Sequence, residues 1–269
     1  MRKFAPILCL ALALLMCASF ASAESADNSL ELVKEAGKLI LGFDASFPPM
    51  GYTQDDGSFA GFDLDVAAEV VKLLGVELEL QPIDWSAKDL ELNVSRSIDC
   101  IWNGFTITEE RRETVNYSIP YLGNAQVLVI RADAGYETLA DLAGKPLGLQ
   151  AGSSAVDALA DAPEFAATLS DVAEFGDYMV ALLDLEQGGV DAVLMDTVVA
   201  NYYITEKGAN LSILGEALVP EQFGIGFRKE DIALTDAVNA ALIELKANGT
   251  LGEISTKWFG SDITIVPAE

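Results

Sequence analysis

The chain has 269 residues, with 16 lysines and arginines against 42 aspartates and glutamates, a formal charge of −26, and no histidine. The lack of histidine excludes histidine-based nucleophile triads and most zinc sites. So acidic a chain offers no basic face for nucleic acid, and its acids are spread along the sequence as on a solvated surface.

Arg2 and Lys3 precede an apolar run from Ile7 to Phe20, and Ala21, Ser22 and Ala23 then place small residues before a cleavage point. These are the marks of a secretory signal over residues 1–23 and of a product exported to the periplasm. The run is too short to span a bilayer. Cys17 leaves lipid attachment as an alternative, which the larger Met16 before it disfavours. With Cys9 and Cys17 in the signal, Cys100 stands alone. Inside the apolar "IDCIW" it reads as a buried structural thiol rather than a nucleophile.

The remainder alternates between strands and helices. Lys38 to Phe43 is an apolar strand, and Asp63 to Gly75 is an amphipathic helix stopped by glycine. Val76 to Pro82 alternates as a strand, Trp85 to Val94 suits a helix, and Ile98 to Trp102 is a buried strand. This order implies parallel βαβ units. In "IWNGFTITEERRETVNYSIPY" the strand gives way to a turn and a helix start, with Thr108 as N-cap and Glu109 and Glu110 at the positive end. Arg111 and Arg112 fall in that first turn, where a cation gains nothing from the helix dipole, so one of them can have another task.

A second series follows. It has a strand over 125–130, a short helix over 136–144, a strand over 145–150 and a helix opened by "GSSAVDALA". A helix over 177–189 and a buried strand over 190–195 complete it. The end departs from this pattern: 222–231 reads as a strand and Thr235 to Gly249 as a long amphipathic helix that must pack on something. The whole is α/β, with two loosely similar halves.

Several residues could carry chemistry. "QAGSSA", between a strand and a helix, offers backbone N–H groups and the Ser153 hydroxyl to a small anion, though the same serine serves as an ordinary N-cap. In "NGFTITEER", from Asn103 to Arg111, Gly104 allows close approach, Thr106 supplies a hydroxyl and Arg111 a fork suited to a carboxylate. Asp196 ends a buried strand where ligands bind in open α/β sheets, and could hold an ammonium or cap the next helix. Asp44 ends the first strand, and Phe47 and Trp85 could be core or apolar walls. Together these describe a site for a zwitterion, an α-amino acid.

In these segments the chain resembles the periplasmic solute-binding proteins, family 3, that feed polar amino acids to ABC importers. The stretch "IDCIWNGFTITEERRETVNYSIPY" is similar to the family's strand, small polar turn, T-x-T-x-E-R and aromatic-Ser-x-Pro-Tyr close. "GFDASFPPMGY", "GFDLDVAAEV", "LGLQAGSSA" and "VDAVLMD" match further family segments in order. The resemblance implies two lobes, each a mostly parallel sheet flanked by helices, joined by crossovers near 122–127 and 219–223. Lobe 1 would take residues 24–124 and 223–269, and lobe 2 residues 125–222.

It also implies roles. Arg111 would bind the ligand carboxylate with Gly104, Thr106 and Ser153, and Asp196 the ammonium. Asp44, Phe47, Trp85 and Asn103 would border the rest of the ligand, while Arg112 has no family role. The chain departs from the family at Met50-Gly51, Asn103 and Ala155, which leaves the side chain of the ligand open. The implied protein is a monomer without cofactor or metal that docks with importer permease subunits. The alternatives on this fold are a cyclohexadienyl dehydratase acting on arogenate or prephenate, and a protein that presents ligand to a sensor.

Overall fold

The computed structural model describes residues 27–267, so the signal over residues 1–23 lies outside the described residues. The first lobe opens with α1 (Ser29–Ala36) and β1 (Lys38–Phe43). A small sheet of β2 (Ser46–Phe47), β3 (Gly51–Thr53) and β4 (Phe59–Ala60) follows, then α2 (Phe62–Leu74) and β5 (Glu77–Pro82). The helix α2 buries Leu64, Val66, Ala67, Val70 and Val71, and ends at Gly75, whose left-handed backbone returns its N–H to Val71.

The segment 85–95 is not the regular helix the sequence suggests. It begins as a 3₁₀ turn capped by Asp84, passes through one α turn and widens over Glu91–Ser95. The Ser95 hydroxyl donates to the carbonyl oxygens of Leu90 and Glu91 there, an alternative partner that loosens the last turn. After β6 (Cys100–Ile101), the expected helix behind Thr108 is also reduced, to a single 3₁₀ turn at Arg111–Glu113. Thr108 caps it by accepting from the Arg111 N–H. The chain must then extend at once, because β7 (Val115–Tyr117) pairs with β13 (Gly226–Arg228).

In the second lobe, β8 (Leu122–Arg131) is longer than its apolar core suggested, and 136–144 holds only a 3₁₀ turn, Leu139–Leu142, closed by a capping box. Then come β9 (Pro146–Gln150), α3 (Ser154–Ala160), α4 (Pro163–Ala166), β10 (Asp171–Phe175) and α5 (Tyr178–Gln187). The lobe is completed by β11 (Ala192–Asp196), α6 (Thr197–Asn201) and β12 (Leu211–Phe223). The strand expected over 222–231 is broken: Phe223 ends β12, and the chain resumes as β13 in the other sheet. Last are α7 (Ile232–Ala247) and α8 (Thr250–Phe259). The apolar face of α7, with Leu234, Val238, Leu242 and Leu245, packs on α1, α2 and α8.

There are two five-stranded sheets. One runs β5-β1-β6-β13-β7 and takes strands from both ends of the chain; the other runs β10-β9-β11-β8-β12. In each, three strands are parallel and the last two antiparallel to their neighbours. The strands β8 and β12 pair side by side where the chain passes between the sheets, Leu122 opposite Phe223 and Asn124 opposite Glu221. Cys100 is buried, and burial pushes its thiol pKa well up, as befits a structural residue. Among the described residues no helix is long and apolar enough to cross a membrane.

Candidate functional site

The lobes meet over a small cavity of about 10 Å³, room for about one water molecule. The first lobe lines it with Phe47, Trp85, Gly104, Thr106 and Arg111; the second with Gln150, Ser153, Ser154 and Asp196. Seven of the nine residues singled out in the sequence therefore share one surface.

Arg111 is held from three directions. Its guanidinium lies over the Phe105 ring at 4.8 Å, and Nη1 donates to the Thr106 carbonyl at 3.0 Å. Nη2 crosses the cleft to the Gly152 carbonyl at 3.2 Å. Phe105 is itself fixed by Trp85 and by Tyr117, whose hydroxyl donates to the same Thr106 carbonyl. The short turn after Thr108 thus sets a rigid, stacked arginine against the cavity. Arg112, one residue on, lies over Tyr117 beside Glu109 and away from the cleft.

Gly104 takes a left-handed backbone, φ 57°, where an added Cβ would stand 2.8 Å from Phe47. Its N–H is committed to the buried Asp63 carboxylate at 2.7 Å, so the amide itself is not offered to the cavity. Burial pushes Asp63 up to about 7, offset in part by that amide.

Ser153 is an N-cap that also lines the cavity. It caps α3 by accepting from the Ala155 N–H, and its hydroxyl donates to the Gln150 carbonyl while facing the cavity. Ser154, not singled out from the sequence, reaches across the cleft, donating to the Thr106 hydroxyl at 3.1 Å.

Asp44 and Asn103 do not line the cavity. Asp44 is buried behind Gln150, whose Nε2 donates to it at 2.7 Å, and burial raises its pKa. Asn103 is buried with its Oδ1 accepting from the Asp44 N–H at 3.1 Å, which shapes the end of β1. Gln150 is thus the polar contact between Asp44 and the cavity.

Asp196 is the most buried acid of the cleft. Asn124 Nδ2 donates to its Oδ1 at 2.6 Å and Gln126 Nε2 at 3.1 Å. Burial, and then the charge of Glu221, push its pKa up to about 8. A carboxyl so placed calls for a cation, and none of the cationic side chains reaches it among the described contacts. The arrangement gathers a guanidinium, a serine-bearing helix start and a buried carboxyl around one cavity.

Residues 39–261 match the model of the bacterial extracellular solute-binding proteins, family 3. The chain belongs to that family. It is 34% identical over 240 residues to the L-cystine-binding protein TcyJ of Escherichia coli (strain K12), covering 88% of each chain. It is 31% identical to the arginine-binding extracellular protein ArtP of Bacillus subtilis (strain 168), covering 92% of this chain and 97% of ArtP. An ABC uptake transporter substrate binding protein from Streptococcus pneumoniae, solved with bound histidine, superposes with a TM-score of 0.86 at 40% identity. That superposition covers 89% of this chain and 99% of the other. This family-3 chain therefore has the two-lobed fold of its relatives as well as their sequence pattern.

Proposed function

We propose that this family-3 protein captures a polar L-amino acid between two closing lobes and delivers it to an ABC importer. The observation that carries the reading is that the Arg111 guanidinium and the Asp196 carboxyl, from opposite lobes, line one cavity. The guanidinium would take the α-carboxylate, with Ser153 and Thr106 beside it, and Asp196 the α-ammonium. Phe47 and Trp85 would form apolar walls, with Asp44 acting through Gln150 on the ligand side chain.

The cavity is far smaller than an amino acid, so the lobes must part to admit one. The division into lobes at residues 122–127 and 219–223, through the paired β8 and β12, suits such a hinge. Ligand binding then selects the closed form, which is the shape permease subunits would read. The protein works as an exported monomer in this reading, directed by the signal over residues 1–23. The relatives bear names for cystine, arginine and histidine, which supports an amino acid without choosing among them. The relatives are named as amino-acid-binding proteins and give the dehydratase alternative no support.

Calorimetric titration of refolded, ligand-stripped protein with the twenty L-amino acids, ornithine and L-cystine tests the proposal. A dissociation constant in the micromolar range or tighter is expected for at least one. Silence from all of them would sink it.

A further inference from the structure

The least explained feature of the cleft is a second acid. Glu221 comes from the crossover strand β12, opposite Asn124 of β8, and is not among the residues lining the cavity. Asn124 Nδ2, which donates to Asp196 Oδ1 at 2.6 Å, also donates to Glu221 Oε2 at 3.0 Å. Gln126 Nε2 does the same, 3.1 Å from each oxygen. Two amide nitrogens within reach of both oxygens hold the carboxyl groups within about 6 Å, the range in which two carboxylates raise one another's pKa. The first lobe reaches the same place: the Thr106 hydroxyl donates to Glu221 Oε2 at 3.1 Å.

On the cavity side every other group facing this pair is neutral or already engaged, while on its outer side Glu221 shares a surface groove with Glu109, Glu110, Asp157 and Asp161, whose charges add to the repulsion. Gln126 and Asn124 come from β8, Ser154 from α3 and Thr106 from the first lobe. Tyr178 faces Asp196 from α5, and burial holds its phenol protonated far above neutral pH. Arg111, the cation lining the same cavity, donates to two backbone carbonyls. Amide dipoles alone do not neutralise a buried carboxylate beside a half-buried one.

We propose that Asp196 and Glu221 form one paired acceptor holding a single cation, a proton in the unliganded cleft and the ammonium of the amino acid in the filled one. This rests on the amino-acid reading above. The exchange balances: one carboxyl O–H bond breaks, its proton leaves to solvent, and the carboxylate accepts from the incoming N–H. Because Glu221 sits on a hinge strand and is touched from both lobes, the charge of the pair is tied to closure. Closing on two bare carboxylates is unfavourable, and closing on a shared cation is not.

The pKa of Asp196, raised to about 8 by burial and by Glu221, agrees in sign. Where the pair holds its proton, an ammonium must displace it. Affinity therefore falls as pH falls, by up to about tenfold per pH unit for one displaced proton. A hinge strut without this role would alter affinity but leave the proton count unchanged.

The test is calorimetry at pH 7 in phosphate, HEPES and Tris, whose ionisation enthalpies differ, so that the slope of heat against that enthalpy counts protons. The probes are L-arginine, L-glutamine and L-cystine, joined by any other non-titrating amino acid that binds in the panel. The wild type is expected to release a large fraction of one proton, and Glu221→Gln less than half as much, with a flatter affinity profile from pH 8 to 5.5. If Glu221→Gln melts too low to assay, Glu221→Asp, which withdraws the carboxyl by one methylene, is expected to lower the count too. Binding without proton release in the wild type overturns the pairing while leaving the amino-acid reading intact, as does an unchanged count in the variants. Absence of binding by any amino acid removes both.

Discussion

Arg111 and Lys88 converge on one oxygen, the carbonyl of Gly152. Arg111 Nη2 stands 3.2 Å from it and Lys88 Nζ 2.8 Å. Both cations belong to the first lobe and the oxygen to the loop before α3 in the second. The cleft is thus latched by two cations on a single backbone acceptor, directly beside the proposed carboxylate site.

The two cations differ in what they can do besides latching. Arg111 lines the cavity with its fork stacked on Phe105, so it can exchange the Gly152 carbonyl for a ligand carboxylate. Its loss leaves that carboxylate buried without a partner, a cost of about 2–5 kcal/mol. Arg111→Ala is expected to weaken binding of the cognate amino acid at least about thirtyfold in calorimetry. Arg112→Ala, which removes an exposed side chain over Tyr117, should leave affinity within about twofold. Equal losses at the two positions would mean that the wrong arginine has been assigned.

Lys88 is nearly fully buried, and burial, then the charge of Arg111, push its pKa down to about 8. It donates to the Trp85 carbonyl as well as to Gly152, and its ammonium sits 5.4 Å from the Trp85 ring. Lys88→Met keeps an apolar stem over Trp85 and removes the donors. The expected result is a more open protein, seen as a larger radius of gyration in X-ray scattering at saturating ligand, with a loss of affinity near tenfold. An unchanged radius and affinity would show that the latch is idle.

Gly104→Ala probes the cradle. Alanine at φ 57° carries a left-handed strain of about 1–2 kcal/mol. Its Cβ would also press on Phe47, which lines the cavity, and on Phe223 at the end of β12. Melting should drop by a few degrees while affinity falls more than tenfold, because the displaced ring is part of the site. A stability loss with normal affinity would show that Phe47 does not border the ligand.

What could be read from the sequence followed from how local its cause was. β1, β9 and β11 are short apolar runs, and α2 and α5 end on glycines at left-handed backbone, so their extents were close to legible. The edge strand β10 is half exposed and lacks an alternating pattern, and β12 is set by pairing with β8 of the same sheet, far away in sequence. Neither announces itself locally. The helix expected after Thr108 stopped after one turn because β7 had to pair with β13, a contact more than a hundred residues away. In the site, Arg111, Thr106 and Asp196 were visible because their segments match a family pattern. Gln126 was detectable as the lone polar residue of the apolar run 125–130, and Gln150 as a polar strand end before a helix. Ser154, Lys88 and Glu221 acquire meaning only when the lobes meet, which no local spacing encodes.

Asp63 offers a pH test that is independent of ligand. It is fully buried beneath the cradle, accepts from the Gly104 N–H, and has its pKa raised from 3.8 to about 7, chiefly by burial. The folded protein therefore binds this proton more tightly than the unfolded chain. The stability it contributes is fully present below about pH 4 and is lost as pH rises toward 7, where folding must carry a buried charge. Asp63→Asn retains an oxygen for the Gly104 N–H and cannot ionise. Melting curves of the wild type and the variant should therefore converge near pH 4 and separate by several degrees as pH rises to 7.5, with the wild type declining relative to the variant. Parallel curves across that range would place the proton elsewhere, and would leave Asp63 an ordinary ionised carboxylate held by Gly104.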